Sequence, residues 1–345
     1  MKIAVTIQRP PHVHFYRHVI EALEPTAHET RVYVRDSEIT TALLDAFGIE
    51  HTVLTDTANG SMGGLVTSQL LFESRLLRRL LRFRPDVVTG IGGLSASHAG
   101  TVAGARTVAF TDTEHARLSN ALTRPFADAI HTPDCFHRDF GPKHARYAGY
   151  HELAYLHPNR FDPDPSVPEA AGVDPAEPLA VVRLTDWDAM HDVGAGGMAD
   201  VTDVVERLEA AGAQVRVTSE VQTSSDLDDR ALDVPPEEVH HLLAHADVYL
   251  GEGATMAAES AVLGTPAVYV NTLRMGYTDE LEARYGLLYN CQGSFRHDRA
   301  IETAERVLNG DEDHDFEARR DRLLDEKTDP HRSILRALGV EGVPA

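Results

Sequence analysis

Runs of apolar residues and helical repeats of apolar residues take turns along the whole chain. Residues 3–7 form an apolar run that ends in a turn through Gln8, Arg9, Pro10, Pro11 and His12, after which Phe15, Val19, Ile20 and Leu23 recur at helical spacing. The same exchange predicts strands at 31–34, 51–54, 86–89, 107–110 and 129–131, and helices at 14–23, 40–47, 65–83 and 95–103. The longest helix, 65–83, is expected to carry Leu65, Val66, Leu70, Leu76, Leu77, Leu80, Leu81 and Phe83 on one side and Arg75, Arg78, Arg79 and Arg82 on the other. Between 150 and 178 the rhythm stops, and Pro158, Pro163, Pro165, Pro168, Pro175 and Pro178 mark a linker. It then resumes, with strands at 179–183, 214–218, 247–250, 267–270 and 287–289 and helices at 198–211, 236–244, 254–263, 278–285 and 299–308.

Strands alternating with helices predict an α/β chain with parallel sheets. The expected layout is a first Rossmann-like domain over 1–150, a linker over 151–178, and a second Rossmann-like domain over 179–310. Terminal helices over 311–345 would fold back on the first domain. Two such domains would face a cleft, with ligands at the carboxyl ends of strands, so the chemistry is sought in the βα loops.

The most informative loop lies in residues 247–271. Gly251 and Gly253 separate a buried strand from a helix of small residues that starts at Ala254 and Thr255. Unpaired N–H groups at a helix start favour an anion, and glycine lets a phosphate approach the backbone. Glu252 and Glu259 flank this turn, and the Glu259 carboxylate could accept two bonds from a ribose diol. The plain alternative is a tight packing turn. Arg183, at the end of the strand 179–183, could bind a diphosphate bidentately or sit in a surface ion pair, and Asp186, Trp187 and Asp188 follow it. In the first half, His12 and His14 are candidates for a general base, or else pack and cap a helix. Gly92, Gly93 and Ser95 could cradle a phosphate or an acceptor, or serve close packing. Asp112 and Glu114, with His115, could share acid/base work, or could start the next helix.

Charge narrows the classes. The net charge is −22, and lysine occurs only at Lys2, Lys143 and Lys327, so arginine supplies the remaining positive charge. Acidic, lysine-poor surfaces of this kind resemble those of proteins from salt-loving organisms. So negative a field argues against nucleic acid as a partner. The arginines of 65–83 could dock on anionic lipid or a polyprenyl phosphate, giving a peripheral membrane contact, or form a solvated face. With no long apolar run and a strand at the very start, the chain is expected in the cytoplasm, and its two cysteines, Cys135 and Cys291, fit a reducing compartment. His240, His241 and His245 share a helix, but three or four converging ligands are the usual requirement for zinc, so no metal and no cofactor are expected.

Taken in order, the motifs PPHVHF (10–15), DTEHA (112–116), VVR (181–183) ahead of DWDA (186–189), EGATMAAES (252–260) and LGTPAVYVN (263–271) cover nearly the whole chain. With them the sequence resembles the GT-B superfamily, among whose members are the UDP-N-acetylglucosamine 2-epimerases and the glucosaminyltransferase of lipid-linked peptidoglycan precursors. It resembles more closely a largely archaeal family that carries these same motifs. The resemblance implies that Gly253 and Glu259, six residues apart as in the transferases, hold the ribose of a nucleotide sugar donor. It brings in Asp112 and Glu114 from the epimerases, and matches His12 to the histidine of a Gly-Gly-His loop that here reads Pro-Pro-His. The expected activity is transfer of a sugar from a nucleotide diphosphate sugar, UDP-linked by the resemblance, to a glycan or lipid-linked acceptor. The alternatives are an epimerase or hydrolase of the same sugars, and a non-catalytic nucleotide-sugar binding protein.

Overall fold

The computed structural model describes residues 1–56, 62–184, 201–219, 225–311 and 315–342. The chain divides into two compact units, residues 1–160 with 327–345 and residues 161–326. The first unit holds seven parallel strands: β1 (Lys2–Ile7), β2 (Glu29–Asp36), β3 (His51–Asp56), β4 (Val87–Ile91), β5 (Arg106–Phe110), β6 (Ala129–Pro133) and β7 (His144–Tyr147). They lie in the order β3-β2-β1-β4-β5-β6-β7. The second unit holds β8 (Leu179–Leu184), β9 (Gln214–Ser219), β10 (Val248–Gly251), β11 (Ala267–Val270) and β12 (Leu288–Cys291), in the order β12-β11-β10-β8-β9.

These strands are apolar on both faces because helices cover both sides of a parallel sheet. Ile3, Ala4, Val5 and Ile7 are buried in β1, as are Val248, Tyr249 and Leu250 in β10. In each sheet the strand order reverses once, between β1 and β4 and between β8 and β10. At such a reversal the two following connections diverge to opposite faces and leave a crevice at the carboxyl ends of the strands. Arg183 and Gly251 are register partners at the second reversal, so the loops singled out by their residues stand where the topology leaves room.

The helix Met62–Phe83 departs from expectation. Its apolar residues do not share one side: Phe72, Leu76, Leu80 and Phe83 are buried against the sheet, whereas Val66, Leu70 and Leu81 are exposed. Four buried side chains, each worth about 1.5–3 kcal/mol, suffice to seat the helix. The stretch read as a linker is also not a free connector. Residues 151–156 lie buried in the first unit and 161–178 belong to the second. Of the terminal helices, Phe316–Glu326 belongs to the second unit and His331–Leu338 to the first. Asp186, Trp187 and Asp188 lie outside the described residues.

Candidate functional site

In the second unit the site is built on the reversal between β8 and β10. Helix Ala254–Leu263 begins after Gly253 with no side-chain cap. Its first internal bond runs from the Ala257 N–H to the Gly253 carbonyl, 3.1 Å, so the N–H groups of Ala254, Thr255 and Met256 have no carbonyl within the helix to bond. Arg183 reaches this helix start: a Cβ on Gly253 would lie 3.5 Å from Arg183 Cδ and Nε, and Arg183 Nη1 lies 4.0 Å from Met256 Sδ. A guanidinium beside a positive helix end is an arrangement able to hold an anion from two sides. Gly251 is required by space, since a Cβ there would meet Tyr249 Oη at 2.4 Å and the Arg183 carbonyl at 2.9 Å. The Asn271 side chain donates to the Glu252 carbonyl at 3.2 Å and holds the turn.

Glu259 is buried, and its Oε1 lies 3.1 Å from Nε2 of the equally buried His240. The pair turns an otherwise costly buried carboxylate into a fixed acceptor. Tyr249 Oη is fully buried beside the glycine turn and bonds no other described residue. Burial pushes its pKa up, so it is a permanent donor.

In the first unit the polar cluster gathers at the carboxyl ends of β1, β5 and β7. Asp112 follows β5, and its Oδ2 lies 3.0 Å from Nδ1 of His151, both side chains being largely buried. Burial alone would raise the Asp112 pKa. The charge and hydrogen bond of His151, the Thr113 hydroxyl at 2.8 Å and a backbone N–H outweigh burial and bring it to about 2. With Nδ1 facing the Asp112 carboxylate, Nε2 is the ring atom of His151 left for a further partner. That atom is buried and bonds no other described residue. Phe15 packs on the ring at 4.6 Å between centroids, and the Tyr147 ring lies parallel at 6.3 Å.

His12 sits in the first turn of helix Pro10–Leu23, behind Pro10 and Pro11. Its Nδ1 accepts the Gln8 N–H at 3.4 Å, which leaves the proton on Nε2. Burial, then the charges of Arg9 and His151, push its pKa down to about 3 against a smaller upward pull from Asp112. His12 is therefore a neutral donor next to the Asp112–His151 pair.

The remaining expected residues are placed elsewhere. His14 faces the core, its ring stacked on Tyr155 at 5.1 Å and edge-on to Phe47 at 5.7 Å. Glu114 accepts the His137 N–H at 3.1 Å and so ties its loop to the one that follows β6. Neither acid starts the next helix, which spans Arg117–Thr123 with Ala116 at its cap position. Gly92 and Gly93 take the left-handed conformation (φ 71° and 64°), and a Cβ on Gly93 would lie 2.4 Å from the Ala109 methyl. Close packing demands glycine at Gly93, whereas a Cβ on Gly92 would meet nothing within 4 Å. Ser95 is buried and accepts from Gln69 Nε2 at 2.8 Å. His241 accepts the Asp164 N–H at 2.9 Å, and His245 Nδ1–H donates to the His241 carbonyl at 2.7 Å, so these rings and His240 serve three different partners.

His151, His240 and Tyr249 were not among the expected site residues. His151 lies in the stretch read as a linker, and only its proximity to Asp112 in space identifies it.

Solved structures share this architecture. The S. aureus MnaA–UDP co-structure aligns with a TM-score of 0.69 at 12% identity, covering 100% of this chain and 99% of that one. The Methanocaldococcus jannaschii UDP-GlcNAc 2-epimerase in complex with UDP-GlcNAc and UDP gives 0.67 at 13%, covering 98% and 99%. The glycosyltransferase VinC in complex with DTDP gives 0.65 at 15%, covering 98% and 100%. Identities this low establish the fold alone, a GT-B-like pair of Rossmann-like parallel-sheet domains. In sequence, the uncharacterized protein MJ0665 of Methanocaldococcus jannaschii is 23% identical over 286 residues, 78% of this chain and 81% of that protein. The family model described as "Protein of unknown function (DUF354)" matches residues 1–321, and the chain belongs to that family.

Proposed function

We propose that the protein is a glycosyltransferase that takes its sugar from a nucleotide diphosphate sugar. The observation that carries this reading is the approach of Arg183 to the uncapped start of helix Ala254–Leu263 at the strand-order reversal of the second unit. Support comes also from the fold neighbours solved with UDP, UDP-GlcNAc or DTDP. The donor's diphosphate would take the N–H groups of 254–256 and the Arg183 guanidinium, and its ribose hydroxyls would bond Glu259, held by His240. As the bond from sugar carbon to diphosphate oxygen breaks, negative charge grows where these donors already point, which is how fixed dipoles lower a barrier.

Taken by itself, the first unit carries a candidate base: a hydroxyl bound there would lose its proton to His151 Nε2, and Asp112 would stabilise the imidazolium that forms. His12, neutral with its proton on Nε2, would donate a hydrogen bond to sugar or acceptor. Calorimetric titration with UDP, dTDP and their sugars tests the donor half: Arg183→Ala should weaken binding at least about tenfold, and equal affinity in both proteins would sink it. His151→Asn and Asp112→Asn should retain donor affinity and lose about 10²–10⁴ in turnover.

A second reading draws on the same acid/base cluster and on the UDP-GlcNAc 2-epimerases among the fold neighbours: proton exchange at the sugar itself. Incubation with donor alone separates the two, since inversion at C2 or release of UDP without acceptor belongs to the epimerase or hydrolase reading.

A further inference from the structure

The helix Met62–Phe83 shows solvent a surface that none of the groups above uses. Phe72, Leu76, Leu80 and Phe83 fill the side turned to the sheet. Successive residues advance by about 100° around a helix axis. Val66, Leu70 and Leu81 therefore form a ridge on one flank of the buried side, and Arg75, Arg78, Arg79 and Arg82 form a band on the other. The ridge is open: Val66 is 55%, Leu70 62% and Leu81 53% exposed. Leu71, within the arginine band, is 41% exposed, and Val53 on the neighbouring edge strand β3 is 42% exposed.

The arginines line a groove of about 340 Å³ with Val53 and Leu54. The Arg75 guanidinium donates to the Leu54 carbonyl, which fixes one end of the band. Arg78, Arg79 and Arg82 make no ion pair among the described residues. The single acid of this helix, Glu73, is turned away from the band, accepting from Gln69 at 2.8 Å and lying 3.4 Å from His98 Nδ1.

We infer that this helix seats the protein peripherally on an anionic lipid bilayer. Exposed leucines in a row beside arginines match the two layers of a bilayer interface: aliphatic side chains enter the headgroup–acyl boundary and guanidiniums take lipid phosphates. Charge complementarity selects this occupant. A chain of net charge −22 is repelled as a whole by an anionic surface, so an unopposed arginine band is the part of it suited to meet one. A second copy of the chain suits the face poorly, because a two-fold contact would set this arginine band against its own copy. The helix would lie flat, since among the described residues no helix is long and apolar enough to cross a membrane.

The test is vesicle co-sedimentation of the full chain. The wild type should pellet with phosphatidylglycerol-containing vesicles and stay in solution with phosphatidylcholine alone. Arg78→Glu/Arg79→Glu/Arg82→Glu should reduce partitioning at least about tenfold, each basic residue near an anionic surface being worth a sizeable factor. Leu70→Ser/Leu81→Ser should reduce it too, and should do so in high salt, where the arginine contribution is screened. All five sites are exposed, so thermal midpoints should stay within about 2 °C of wild type. Failure of the wild type to pellet with anionic vesicles, equal pelleting with neutral ones, or undiminished pelleting of the arginine variant would overturn the inference. A dimer in light scattering that Leu70→Ser/Leu81→Ser dissolves, without vesicle binding, would do the same.

Discussion

At the scale of single residues, the first unit's site turns on which ring holds which proton. His12 and His151 flank Asp112, yet their roles differ because their Nδ1 atoms meet opposite partners. Nδ1 of His12 accepts a backbone N–H, and Nδ1 of His151 faces a carboxylate. His12 has a second consequence, for stability. Its pKa lies at about 3 in the folded chain and at about 6.5 when unfolded. Between those values the unfolded state binds the extra proton, so stability rises with pH across this window and is lost as pH falls from 6.5 towards 3. The slope from one such group is about 1.4 kcal/mol per pH unit. Asp112, held at about 2, acts in the same direction lower down: its contribution is full above about pH 4 and disappears as pH falls through 2. Urea titrations at pH 6, 5 and 4 should show a smaller loss of stability per pH unit in His12→Gln than in wild type. Burial also lowers His131 and His297 to about 4, so the variant should keep part of the slope. An identical slope would mean that His12 titrates normally.

At the scale of elements, the glycine turn after β10 shows how a short motif sets a site. Gly251 is demanded by two neighbours of different character: the Tyr249 hydroxyl at the end of a side chain and the Arg183 carbonyl in the adjacent strand. The first can shift and the second cannot without breaking the β8–β10 ladder. Gly251→Ala should therefore cost about 1–3 kcal/mol, the usual range for overpacking, and should displace Arg183 from the helix start. Adding Tyr249→Phe should recover only part of that cost, because the carbonyl contact remains. Unfolding curves for the single and double variants check this, and full recovery would assign the whole clash to the hydroxyl. This element was legible in residues alone, because glycine, small residues and an apolar run in that order have few other uses. So was the parallel β/α alternation. The helix Met62–Phe83 was less so: helical spacing shows where apolar residues recur, but not how many of the faces they occupy are covered. The Asp112–His151 pair was not legible at all. Its members are far apart in sequence, one sits in a proline-rich stretch without period, and nothing local to either points to the other.

At the scale of the molecule, the chain leaves the first unit after Arg160 and returns to it at Lys327. The return is fastened by side chains and by backbone. Lys327 is buried, 2.7 Å from Asp134 and over the Tyr150 ring at 5.0 Å. The Thr328 N–H donates to the Ala148 carbonyl at 2.8 Å, and a Cβ on Gly149 would lie 2.8 Å from the Thr328 carbonyl. Arg160 meets Asp329 at 3.0 Å, and Arg106 donates to the Ala337 carbonyl at 2.8 Å. Helix His331–Leu338 then buries Ile334, Leu335 and Leu338. Two core-filling leucines and an isoleucine contribute about 1.5–3 kcal/mol each, comparable in sum with the marginal stability of a whole domain. The first unit is thus completed only when the chain returns to it at Lys327. Ending the chain after Glu326 should leave residues 1–160 open to limited proteolysis while 161–326 resists, and the full chain should resist in both parts. The milder Asp134→Ala removes the carboxylate facing a buried ammonium. Because Asp134 is itself partly exposed, solvent screens the pair, and the cost should fall below the roughly 3–5 kcal/mol of breaking a fully buried pair, read as a lowered thermal midpoint. Equal protease resistance of 1–160 in the truncated and full chains would show that this unit closes without its C-terminal segment. The Lys327–Asp134 pair would then not be the clasp of a discontinuous domain.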